Sequence, residues 1–79
     1  MIALYRCRDP YNDVTLEVDA YDCGMAAEIA AERWFYTGYP GADIIYVEVQ
    51  RIDPADDTIR KFIVKVSRQP HFYAEESEQ

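Results

Sequence analysis

The fold turns on Val14-Thr15-Leu16-Glu17-Val18-Asp19-Ala20-Tyr21-Asp22-Cys23-Gly24-Met25-Ala26-Ala27-Glu28-Ile29-Ala30-Ala31-Glu32-Arg33-Trp34. In its first part Val14, Leu16, Val18 and Ala20 alternate with Thr15, Glu17, Asp19 and Tyr21. A period of two puts the sets on opposite sides of a β-strand, one buried and one wet. After Asp22 the period changes. Cys23, Ala26, Ala27, Ala30 and Trp34 gather on one side at about 100° per residue, with Glu28 and Glu32 opposite, as in an amphipathic helix. Asp22 stands where a carboxylate can accept from the first free amides of that helix. The buried stripe is mostly alanine, which predicts a helix lying close against a sheet.

Working outward, Ile2 to Arg8 reads as a strand, joined to Val14–Tyr21 by Asp9-Pro10-Tyr11-Asn12-Asp13, a segment of strong turn formers. The two should pair as a hairpin. The helix should run from Cys23 to about Tyr36 and stop at Gly38, with Tyr39-Pro40-Gly41 as a turn. Ile44 to Ile52 is a third strand, Asp53-Pro54-Ala55-Asp56-Asp57 a turn, and Thr58 to Arg68 a fourth strand that ends before Pro70. The expected fold is α+β: a four-stranded antiparallel sheet in the order ββαββ, with one helix packed on one face. A right-handed crossover arranges the strands 2-1-3-4. Residues 1–74 form the expected single domain, with His71-Phe72-Tyr73 packing back on its edge and residues 75–79 as a mobile acidic tail.

Seventy-nine residues suffice for one domain with a modest core. No apolar run approaches the length of a membrane span, and the N-terminus lacks the pattern of a secretory signal. A cytoplasmic location and reduced cysteines are expected, with Cys7 and Cys23 as core filler. One histidine and two scattered cysteines do not make a zinc site, so neither metal nor cofactor is expected. The glycines Gly24, Gly38 and Gly41 form no phosphate loop, and neither serine, Ser67 or Ser77, has a histidine nearby in an ordered element. Paired carboxylates need a pocket that separates their pKa values before they can do acid–base work. The expectation is a binding protein and not an enzyme.

The net charge of −7 is unevenly placed. Residues 9–57 hold twelve acids against Arg33 and Arg51, whereas residues 58–74 are basic through Arg60, Lys61, Lys65 and Arg68. A field of this sign repels nucleic acid and attracts basic surfaces, so direct nucleic-acid binding is not expected. Glu17 and Asp19 lie about 6.8 Å apart on one strand face. Tyr46 and Glu48 extend that face, and Asp13 and Asp22 stand at strand ends. Phosphates along a DNA strand follow one another at a comparable step of several ångströms, so such an array suits a groove built for DNA. The alternative is that the acids only keep a small domain soluble and monomeric. Tyr21 and Tyr46 fall on the polar sides of their strands and would serve as aromatic anchors. The candidate partner-binding set is therefore Asp13, Glu17, Asp19, Tyr21, Asp22, Tyr46 and Glu48. The basic fourth strand is expected to pair with Glu17, Asp19 and Glu48 across the sheet.

The stretch Val18 to Glu32, a strand ending in an acid-rich step before an Ala-Ala helix, resembles a type found in small proteins of phage and mobile elements. With the short length, the strand order and the acidity, the chain resembles the small acidic anti-CRISPR proteins that inhibit type I interference complexes. The resemblance implies a phage-encoded inhibitor that acts as a DNA mimic, binding a basic DNA path or PAM-reading surface of the complex and blocking target DNA. It carries no site residues over by position. A small structural or adaptor domain without inhibitory role is the competing expectation.

Overall fold

A computed structural model describes residues 1–38, 43–66 and 71–77. Alternating apolar residues put β1 (Ala3–Asp9) and β2 (Val14–Ala20) into an antiparallel hairpin with Tyr5 opposite Val18 and Cys7 opposite Leu16. The period change at Asp22 starts α1 (Cys23–Thr37), where Asp22 accepts from the Met25 amide at 2.7 Å. Gly38 closes the helix, its amide donating to the Trp34 carbonyl at 2.7 Å. β3 (Ile44–Asp53) and β4 (Ala55–Val66) form the second hairpin, and β5 (Phe72–Ser77) pairs with the second half of β4.

The architecture is α+β, one helix on a five-stranded antiparallel sheet in the order β2-β1-β3-β4-β5. The 2-1-3-4 arrangement expected from the sequence is present, extended by one strand. That fifth strand corrects the expectation of four strands and of a mobile tail from residue 75. Glu75, Glu76 and Ser77 are paired with Ile63, Phe62 and Lys61. Phe72-Tyr73-Ala74-Glu75-Glu76-Ser77 is too short and too acidic to stand out as a strand. It becomes one because Phe72 packs edge-on against Phe35 and Tyr36 of the helix. The link between β3 and β4 is also tighter than expected. Only Pro54 separates the strands, and the register shifts between Gln50 and Ile52. The turn expected at Tyr39-Pro40-Gly41 and the strand end at Pro70 lie outside the described residues.

The core is the layer between α1 and the inner sheet face. Ala26, Ala27, Ala30 and Ala31 are fully buried against Tyr5, Cys7, Val47, Val49 and Val64, with Trp34 and Phe62 filling the margins. The approach is close enough for the Cys7 thiol to reach the Ala26 carbonyl at 3.5 Å. Cys7 is core filler, as expected, and Cys23 is half-buried; both are free thiols.

Two stability measurements follow from this layer. Ala30→Leu inserts a branched side chain where helix and sheet already touch, and should destabilise the domain by about 2 kcal/mol in urea unfolding. Phe72→Ala should cost about 2 kcal/mol, because it removes both aromatic contacts that hold β5 to the helix. If β5 is a loose tail, the unfolding midpoint of the second variant will not move.

Candidate functional site

Because α1 covers the inner face, the chemistry available to a partner lies on the outer sheet face, at the strand ends and along the edges. On the outer face the register sets charges of opposite sign side by side. Glu17 stands opposite Arg6 and the pair closes to 3.5 Å. Arg8 reaches Glu48 at 2.9 Å and Asp13 at 3.2 Å. Lys65 bonds Glu75 at 3.2 Å. These carboxylates are answered from within the chain, and exposed pairs of this kind contribute little to stability. Asp13 is held in place by a backbone turn as well. Its φ of 55° is left-handed, a conformation Asp tolerates, and its amide donates to the Asp9 carbonyl at 2.9 Å. Asp9 is buried, its carboxylate accepting from the amides of Tyr11 and Asn12 and from the Asn12 side chain.

The seven residues singled out from the sequence therefore separate. Asp13, Glu17 and Glu48 sit in ion pairs with Arg6 and Arg8. Tyr46 is exposed on the outer face, edge-to-face with Tyr11 at 5.2 Å, beside a shallow hollow of ≈ 580 Å³ that Ile63 and Lys61 also line. Asp19, Tyr21 and Asp22 lie together at the far end of the sheet, where β2 ends and the helix begins. Leu4 has Asp19 as its partner on one side and Asp53 on the other. The two carboxylates therefore flank one strand, with Cα atoms about 10 Å apart. Asp56 and Asp57, at the start of β4, complete this end.

Asp19, Asp53 and Asp57 are exposed, and their carboxylates have no hydrogen bond or ion pair among the described residues. Asp22 uses one oxygen on the helix cap. The sequence places Asp53, Asp56 and Asp57 in a turn among the acids at the strand ends; the signal missing was the register that sets Asp53 across Leu4 from Asp19. The basic strand also finds different partners from those expected. Arg60 bonds Glu76 at 3.0 Å and Lys65 bonds Glu75, both on β5, while Lys61 is merely opposite Glu48 in register. Arg68 lies outside the described residues.

Below this end opens a cleft of ≈ 450 Å³ between the helix N-terminus and β3–β4, lined among others by Tyr5, Tyr21, Cys23, Arg51, Arg60 and Phe62. Both arginines are occupied. Arg51 bonds the Pro54 carbonyl at 2.9 Å and Asp56 at 3.5 Å, and Arg60 is held by Glu76. Asp56 lies below the ordinary carboxylate range because the Thr58 amide and hydroxyl bond it, with Arg51 and Arg60 assisting. Burial pushes the Cys7 thiol up to about 12, and the nearby Cys23 adds to the shift. Cys23 is also raised by burial, although Arg60 opposes it. Among the described residues no group of three His, Cys, Asp or Glu is gathered as a metal site requires, and no described helix is long and apolar enough to cross a membrane.

Set against known protein families, characterised proteins and solved structures, the chain finds no match.

The thiols offer a direct check of this geometry. Iodoacetamide at pH 8 should modify Cys23 in the folded protein, with Cys7 reacting at least a hundredfold more slowly until denaturant is added. Mass spectrometry of the labelled protein reads the order, and equal rates would contradict the buried position of Cys7.

Proposed function

We propose that the chain is a binding inhibitor whose acidic end seats on a basic DNA path, in the manner implied by its resemblance to the small anti-CRISPR proteins of type I interference complexes. The observation that supports this reading is the pair Asp19 and Asp53, whose carboxylates have no partner among the described residues and flank Leu4 in the sheet, with Asp57 exposed near the start of β4 and Tyr21 exposed just past β2. Carboxylates already bonded to the chain's own arginines add little attraction for a partner, because each would have to give up one cation to gain another. Free ones lose only water and counterions. A tyrosine next to them supplies apolar area and a polar tip, the combination that recurs where proteins recognise arginine and lysine. The reading thus moves the expected DNA-like surface from the outer sheet face to the end of the sheet. No chemical step is assigned to the chain.

Attraction of this kind is screened beyond about 8 Å at physiological ionic strength, so inhibition should weaken steeply as salt rises. The deciding experiment mixes the whole chain with a type I interference complex and follows target-DNA binding by mobility shift. The triple variant Asp19→Lys, Asp53→Lys, Asp57→Lys should need at least tenfold more protein for the same block. Glu48→Gln, which removes a carboxylate already paired with Arg8, should change it less than twofold. A triple variant that folds by circular dichroism and still blocks at full strength would sink the acidic-end reading.

A second reading, a structural or adaptor domain, is favoured by a different observation. Tyr11, Tyr46, Ile44, Ile59 and Tyr73 are exposed, and the last four alternate with the charge pairs of the outer face. A neutral, partly apolar sheet face is suited to salt-insensitive docking, and Tyr46→Ala rather than charge reversal would then abolish binding.

A further inference from the structure

The two edges of the sheet are treated differently. On β5 the Ala74 amide is taken by Glu28 of the helix, which reaches over the strand and accepts from it at 2.9 Å. That contact blunts the edge, and it corrects the expectation that Glu28 simply faces water. At the other edge, β2 pairs with β1 alone. Among the described residues no backbone group beyond β1 bonds any residue of Val14–Ala20. Every second residue of β2 therefore turns its N–H and C=O toward open solvent, the pattern that accepts another strand.

The side chains along that edge restrict what can be added. Outward on the sheet face stand Thr15, Glu17 and Asp19; on the helix side stand Leu16, Val18 and Ala20. In an antiparallel pair, residues directly opposite one another share a face. A second copy of β2 added across a two-fold axis would therefore set Glu17 against Glu17, against Asp19 or against Thr15 in every register that keeps most of the strand paired. No cation stands opposite the acids in any of them. The same edge is complementary to a strand with lysine or arginine at alternate positions and apolar residues between. Its cations would face Glu17 and Asp19, and its apolar residues would continue the layer under the helix.

We propose that the free edge of β2 takes up an extended basic segment of a partner protein as an added strand, its alternating cations opposite Glu17 and Asp19. This rests on reading the chain as a binder of basic protein surfaces, and specifies the form in which such a surface is gripped: main-chain hydrogen bonds hold it, and alternate side chains select it. Glu17 already has Arg6 at 3.5 Å, both about half exposed. An incoming cation therefore shares that carboxylate, while Asp19, without a partner among the described residues, takes one alone.

The test uses the full chain and a peptide of alternating valine and lysine as long as β2, followed by fluorescence anisotropy and amide hydrogen exchange. Binding should slow exchange at alternate amides of Val14–Ala20. Two further peptides carry the same charge, one N-methylated on its lysines and the other on its valines. Only one of those residue sets turns its amides toward β2, so at least one methylated peptide should bind tenfold more weakly or worse. The variant Glu17→Lys, Asp19→Lys should switch preference to a valine–glutamate peptide. If both methylated peptides bind as well as the parent, or if the parent does not bind, strand addition is overturned. The methyl comparison leaves every charge in place, so its failure strikes the added strand and not the acidic end. The double variant Asp53→Lys, Asp57→Lys, which leaves β2 untouched, tests that end separately.

Discussion

The rest of the molecule depends on the contact between the alanine face of α1 and the inner face of the sheet. Four alanines sit with no exposed surface over Cys7, Val47, Val49 and Val64, and the Cys7 thiol touches the helix backbone. Alanine contributes little apolar area of its own, so the area has to come from the sheet and from the large residues at the margins, Tyr5, Trp34 and Phe62. In return the two layers approach closely enough to exclude water between them, the cleft at the helix N-terminus excepted. A domain of this size has one such layer and no second to fall back on.

Spending the inner face on the core leaves the outer face to water. There the chain alternates signs across neighbouring strands: Arg6 with Glu17, Arg8 with Glu48, Lys65 with Glu75. These contacts lie on the surface and are individually weak. Their larger effect is on the field, because a net charge of −7 is thereby kept off the sheet face and displaced to the strand ends and loops. The division explains why a carboxylate's position along the strand matters more than its facing. Glu17 and Asp19 point the same way, yet among the described residues only Glu17 closes an ion pair.

The sheet edges follow from the same arrangement. Helix α1 touches every strand, and on the β5 side its Glu28 and Phe35 reach the added strand directly. That contact recruits Phe72–Ser77 into the sheet and closes its edge at Ala74. On the β2 side the defence against self-pairing is electrostatic, through Glu17 and Asp19, and it discriminates by the sign of the incomer.

Much of the fold could be read from periodicity. The alternation at Val14–Ala20, the helical stripe beginning at Cys23 and the caps Asp22 and Gly38 are local signals, decided by backbone sterics and hydrogen bonding within a few residues, and they appear where the sequence places them. The alanine stripe also announced a close helix–sheet contact. The fifth strand did not announce itself, because Phe72–Ser77 is a strand only by virtue of β4 beside it and Phe35 above it. The candidate site divides in the same way. Acidity and exposed tyrosines were plain in the sequence, but which carboxylates stay free was not, since Asp19 and Asp53 become neighbours only through Leu4, and Glu48 is answered by an arginine forty positions away. Local order belongs to the sequence by itself, because its causes are short-range; the pairing of charges belongs to the tertiary structure, because Coulomb attraction acts on distances that only strand register sets.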